Sequence, residues 1–271
     1  MGKASAIEWL SYVAPDGRVI PGHTWSPWEG CAKVSPGCAH CYAWARDGRH
    51  LIEAVDHWGA DAPRLMHSEE YWRHPHRWSR WAEREGVRVR VFPSLCDPFE
   101  HYVGPSATQL DEARRRMWRV VRETPHLDWV LLTKRPENFR WMLPWMLSGD
   151  EAWPNVWLLV SCETQEHLDA RVPPLLATRA IVRGVSAEPL LGPIDATRVL
   201  LLGRIDWVIV GGESGAGARS MRPEWARAIR DECRAAGVPF FFKQWGSKRE
   251  MGRQLDGQTW DEFPRASEVR R

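Results

Sequence analysis

Apolar residues gather into short runs separated by longer, mixed stretches. The runs cover residues 87–95, 129–133, 156–161, 180–186, 207–210 and 239–243, with a weaker one at 22–28. They are nearly continuous rather than alternating, as in strands buried on both faces of a parallel sheet. The stretches between them read as helices. Ser106 can cap one that places Leu110, Ala113, Met117, Val120 and Val121 on a single face. Pro223 suits the first turn of another, with Trp225, Ile229 and Cys233 on one stripe and Gly237 at its end. Six or seven such units predict an α/β fold, a partial or complete (β/α) barrel, as one domain over 1–271. A doubly wound open sheet is the alternative, because local pattern does not reveal closure. Residues 57–86 fit no unit. They are rich in Trp, Arg and His, and read as a partly helical insertion lying over one end of the sheet.

The chemistry concentrates in a loop at about 24–42. It runs Thr24-Trp25-Ser26-Pro27-Trp28-Glu29-Gly30-Cys31 and later Cys38-Ala39-His40-Cys41-Tyr42. Gly30, Pro36 and Gly37 make it a loop able to wrap a compact metal centre. Thiolates suit iron–sulfur clusters and zinc. A structural zinc site closes with four ligands. Three cysteines on a cubane leave one iron open. The zinc reading needs a fourth ligand, and His40, His23 and His50 are the candidates.

Composition changes the picture little. The net charge is +2, too small to argue for nucleic acid by itself. Basic charge is almost all arginine, with lysine only at Lys3, Lys33, Lys134, Lys243 and Lys248. Base composition of the gene accounts for that bias without function. No apolar run is long enough to span a bilayer, and residues 1–10 lack a charged segment leading into an apolar one. The expectation is a cytoplasmic protein with no membrane partner, in which six cysteines serve as ligands, catalytic groups or core rather than disulfides.

At the cysteine loop the chain resembles the radical S-adenosylmethionine (SAM) superfamily. It departs from the usual C-x3-C-x2-C signature: the first gap is six residues, and the aromatic, Tyr42, follows the third cysteine. It is more similar to a family of phage and bacterial proteins with a T-W-x-P…G-C…G-C-x-x-C-Y segment. Leu131–Pro136, Ser186–Leu191, Val210–Gly215, Lys243–Gly246 and Leu255–Gly257 also fit that family. The resemblance implies a radical SAM-type barrel, a [4Fe-4S] cluster on Cys31, Cys38 and Cys41, SAM as second cofactor, and an electron donor such as flavodoxin or ferredoxin. The phage-like context points to a nucleic-acid or nucleotide substrate.

Barrel active sites lie at the C-terminal ends of the strands. The expected ends here are polar: Ser94-Leu95-Cys96-Asp97, Thr133-Lys134-Arg135, Ser161-Cys162-Glu163, Ser186-Ala187-Glu188, Gly211-Gly212-Glu213-Ser214 and Lys243-Gln244-Trp245. Gly211-Gly212-Glu213 is similar to the superfamily's Gly-Gly-Glu motif for the SAM amino group, but comes late in the chain. Ser94 and Asp97 stand where that motif is expected, so they are assigned to SAM, with Tyr42. Gly211, Gly212 and Glu213 are placed on the same rim. Glu163, Glu188 and Lys134 are the expected catalytic polar groups, and Lys134 with Arg135 could bind phosphate or carboxylate. Cys96 is read as a hydrogen-atom donor inside the barrel or a small core residue. Cys162 should pack outward and Cys233 in the core. Trp25, Trp28 and Tyr42 are expected to shield the cluster. The competing function is a zinc-stabilised nucleic-acid-binding protein without catalysis.

Overall fold

The computed structural model describes residues 4–47, 56–246 and 252–264. Each apolar run overlaps a strand: β1 (His23–Thr24), β2 (Val89–Phe92), β3 (Leu127–Thr133), β4 (Val156–Ser161), β5 (Val182–Ala187), β6 (Trp207–Gly211) and β7 (Phe240–Gln244). They make one parallel sheet in which neighbours in space are neighbours in sequence. That order decides between the two architectures. A doubly wound sheet reverses at a switch point, and this one does not. The sheet curls into half a barrel, compatible with a partial (β/α) barrel. Among the described residues β1 and β7 do not pair with each other.

The helices are α1 (Tyr42–Asp47), α2 (Glu69–Trp72), α3 (His74–Glu85), α4 (Ala107–Glu123), α5 (Phe139–Met142), α6 (Pro144–Ser148), α7 (Gln165–Ala177), α8 (Thr197–Leu201) and α9 (Pro223–Ala236). Alternation along each strand separates two cores. Leu131, Leu158, Val160, Val185, Val208 and Phe242 pack with the helices, including all five residues of the predicted α4 face. Cys162 and Cys233 are buried in this outer core, as expected of them. Val130, Trp157, Leu159, Trp207, Ile209 and Phe241 line the other face, where Trp9 and Leu10 plug the hollow. Gly237 ends α9 in the left-handed conformation, φ 68°. Ser106 precedes α4 but does not cap it; its hydroxyl accepts the Arg64 amide at 2.8 Å.

Residues 57–86 are not an addition to the β/α pattern. Within them α3 is the crossover helix between β1 and β2, packed on β2, β3 and α4. Trp72 and Trp78 belong to the outer core. His23 stacks on Trp78 with ring centroids 4.2 Å apart. The tryptophans that read as part of an insertion include the buried stripe of a helix whose exposed face carries Arg77 and Arg80. Trp25 and Trp28 also lie in this core, and Trp25 meets Trp72 and Trp129 edge-on. They do not shield the cysteines.

At the far edge, residues 260–262 run antiparallel to β7. Phe241 bridges Asp261, Phe242 N–H donates to Trp260 O at 2.9 Å, and Glu262 N–H donates to Phe240 O at 3.2 Å.

Candidate functional site

The loop bearing Cys31, Cys38 and Cys41 arches over the C-terminal ends of the strands, and its attachments can be followed in chain order. Gly30 has φ 113°, and a Cβ there would collide with the His57 carbonyl, so only glycine makes this approach. Ala32 N–H donates to Glu100 Oε1 at 2.8 Å, and Arg135 Nη2 donates to Ala32 O at 2.8 Å. Ser35 Oγ donates to Glu163 Oε1 at 2.6 Å. Arg219 Nη2 donates to Pro36 O at 2.8 Å. Gly37 lies against the Glu163 carboxylate, with no room for a side chain. His40 Nδ1 hydrogen-bonds Glu213 Oε2 at 2.9 Å. Tyr42 OH, at the start of α1, donates to Ser94 O at 2.7 Å.

Three buried carboxylates therefore tether the loop, each held from behind by arginine. Glu100 takes both arms of Arg64, at 2.8 and 3.0 Å, and both partners are essentially inaccessible. Glu163 accepts from Arg171 at 2.6 Å, with Lys134 Nζ at 3.7 Å and His167 at 3.5 Å. Burial pushes the Glu163 carboxyl up, but Lys134, Ser35, Arg171 and His167 outweigh it and hold it below the usual range. Burial acts the same way on Glu213, and hydrogen bonds from the Arg219 side chain and amide and from His40 bring it down to about 2.

Asp97 is saturated. Its oxygens accept from Phe99 N–H, Thr133 Oγ1, Lys134 N–H and Arg135 Nη1, at 2.7 to 3.2 Å. All four acceptor sites are spent on donors of the protein, one of them Arg135, whose Nη1 also donates to Cys31 Sγ at 3.4 Å. Burial pushes the Cys31 thiol up to about 12, against the pull of Arg135. All three loop cysteines are free thiols and partly exposed. Cys31 and Cys41 pack against one small apolar cluster of Ala43, Trp58 and Leu95, with Trp44 beside them. Trp58, Trp44 and Tyr42 are thus the aromatics at the cysteines.

Among the described residues, no three His, Cys, Asp or Glu side chains are gathered closely enough to hold a single metal ion. Of the histidines weighed as a fourth ligand, His23 is in the outer core, His40 is tied to Glu213, and His50 lies outside the described residues.

Behind the loop, Glu188 Oε1 pairs with Lys243 Nζ at 2.6 Å, both about one-fifth exposed. Ser161 Oγ donates to Glu188 O at 2.8 Å. Gly211 leaves room for the Glu188 carboxylate, 3.2 Å from where its Cβ would be. Gly212 is packed on the Trp245 carbonyl. Cys96 bridges Gly30 and packs against the outer core, and burial pushes its thiol well up. The structure thus gathers Ser94, Asp97, Lys134, Glu163, Glu188 and Glu213 at one mouth, but Asp97, Glu163 and Glu213 hold protein there. Sequence reasoning missed Glu100, Arg64, Arg219 and Ser35, and gave Lys243 no role. A cleft of about 850 Å³ opens beside Cys41, lined in part by Lys33, Tyr42, Trp44 and Ser214–Ala216.

The family described as protein of unknown function (DUF5131) matches residues 17–264, a span that takes in the cysteine loop and all seven strands. No curated protein matches the chain.

Proposed function

The chain belongs to the DUF5131 family, and we infer that it is an enzyme of the radical SAM type, its [4Fe-4S] cluster held by Cys31, Cys38 and Cys41. One observation carries the reading: three free cysteines of a single loop stand over the C-terminal mouth of a parallel half-barrel. The donor set fits. Three thiolates occupy three irons of a cubane and leave the fourth for a cofactor. Each thiolate sits on a different iron, so a cubane asks for wider spacing than one zinc ion, whose ligands all lie within about 2.3 Å of the metal.

Bound there, the cluster supplies one electron and one iron without a protein ligand, the combination that cleaves SAM reductively. The remaining work belongs to the chain. Arg135 donates to Cys31 Sγ and offsets negative charge at the ligand. Glu100, Glu163 and Glu213 fix the loop at three points. Trp58, Leu95 and Ala43 keep water from its inner side. Tyr42 is held by its hydroxyl with its ring facing out, 47% exposed. Lys134 and the Glu188–Lys243 pair are the polar groups left to meet a substrate. The electron comes from a donor such as flavodoxin or ferredoxin.

The test is purification without oxygen, reconstitution with iron and sulfide, and the EPR spectrum of the reduced protein with and without SAM. A cubane signal that changes on adding SAM is expected, and replacing any one of the three cysteines by Ala should abolish it. Stoichiometric zinc with no cluster signal would sink this reading and leave a zinc-stabilised binding protein.

A further inference from the structure

The cleft beside Cys41 has two chemical faces. One is aromatic. Tyr42 presents a ring anchored by its hydroxyl, which donates to Ser94 O at 2.7 Å. Trp44 lies next to it, with the Lys33 ammonium 4.1 Å from its ring centre. The other face suits an anion. Lys33 is exposed and pairs with no carboxylate among the described residues. On the same cleft, the backbone amides of Ser214, Gly215 and Ala216 donate to no acceptor among the described residues. Gly215 and Gly217 have φ 101° and 75°, and successive amides in such turns form concavities that bind anions. The nearby carboxylates Glu163 and Glu213 are buried and already paired, so they do not repel one.

We propose that this cleft binds a nucleotide unit, its phosphate on Lys33 and the 214–216 amides and its base against Tyr42. This rests on the reading of the cysteine loop only for the claim that the bound unit is the substrate. The binding itself requires no cluster. A free nucleotide and one residue of a single strand share this chemistry, since stacking and a cationic groove are also how single strands are held.

The test uses the whole protein, with and without reconstitution, titrated with AMP, with a fluorescein-labelled oligothymidylate, with inorganic phosphate and with SAM. AMP or the oligonucleotide should bind about tenfold or more tightly than phosphate, because stacking adds to the anion contact. Lys33→Glu and Ala216→Asp, both at exposed positions, should each weaken it by about tenfold or more. Tighter binding of AMP points to a free nucleotide, and of the oligonucleotide to a strand. Absence of binding by both, or affinity unmoved by both substitutions, overturns the proposal. So does displacement of AMP by SAM, which would give the cleft to the cofactor. Cluster formation is read separately from its absorption. Its failure with nucleotide binding intact would defeat the radical reading and leave this one standing.

Discussion

At the scale of single residues, Arg135 is the side chain whose loss should be most informative. A hydrogen bond from a charged donor contributes about 1.5 kcal/mol or more. Reduction adds negative charge to a cluster, so that contact favours the reduced form. With the cluster bound, Arg135→Met should move its midpoint potential negative by about 59 mV, a tenfold change for one electron. Arg135→Lys should move it less; an EPR-monitored redox titration measures both, and equal potentials would remove Arg135 from this role. Glu213 gives a prediction in pH. Its folded carboxyl titrates at about 2 against an ordinary 4.5. The depressed value means its contribution to stability is present above about pH 4.5 and lost as pH falls towards 2. Denaturant unfolding of Glu213→Gln should therefore lose less stability across that window than the parent. The cysteines were legible because spacing alone marks them. Glu100, Arg64 and Arg219 were not: their partners are 36, 36 and 6 or more positions away, and an arginine in so arginine-rich a chain carries no signal.

Among the elements, the strands were the most readable part, since seven nearly continuous apolar runs leave few other interpretations. The crossover helix α3 was misread because its buried stripe is built of Pro75, Trp78, Ser79 and Ala82 rather than large aliphatic residues. Its burial sets the cost of breaking it. Trp78→Ala removes a ring from the outer core and its stacking on His23, and should cost about 3–5 kcal/mol in denaturant unfolding. A surface insertion would have lost almost nothing. The cysteine loop has its own sensitive point. Gly37→Ala drives a methyl group into the Glu163 carboxylate. The expected result is a loop lifted from its tether, with a destabilisation of about 1–3 kcal/mol and a fall in iron bound per chain. Normal iron loading in that variant would show that the contact yields.

For the molecule as a whole, the repeated β/α pattern predicted a parallel sheet, but neither its strict sequential strand order nor its open edge, because both are long-range properties. The 260–262 segment lies on the edge of β7 where further pairing would begin. A chain stopped at residue 257 leaves that edge bare, and bare edges recruit other chains. Light scattering after size-exclusion chromatography should show it associating where the full chain does not. The three-point mounting of the loop has a consequence for the life of the protein. Each mount is a protein–protein contact that asks nothing of iron. If the loop holds the proposed cluster, the socket is therefore finished before its contents arrive. Loading would then be insertion into a standing frame, unlike the small metal domains that collapse when emptied. On that reading, losing the cluster and regaining it would not require the chain to unfold.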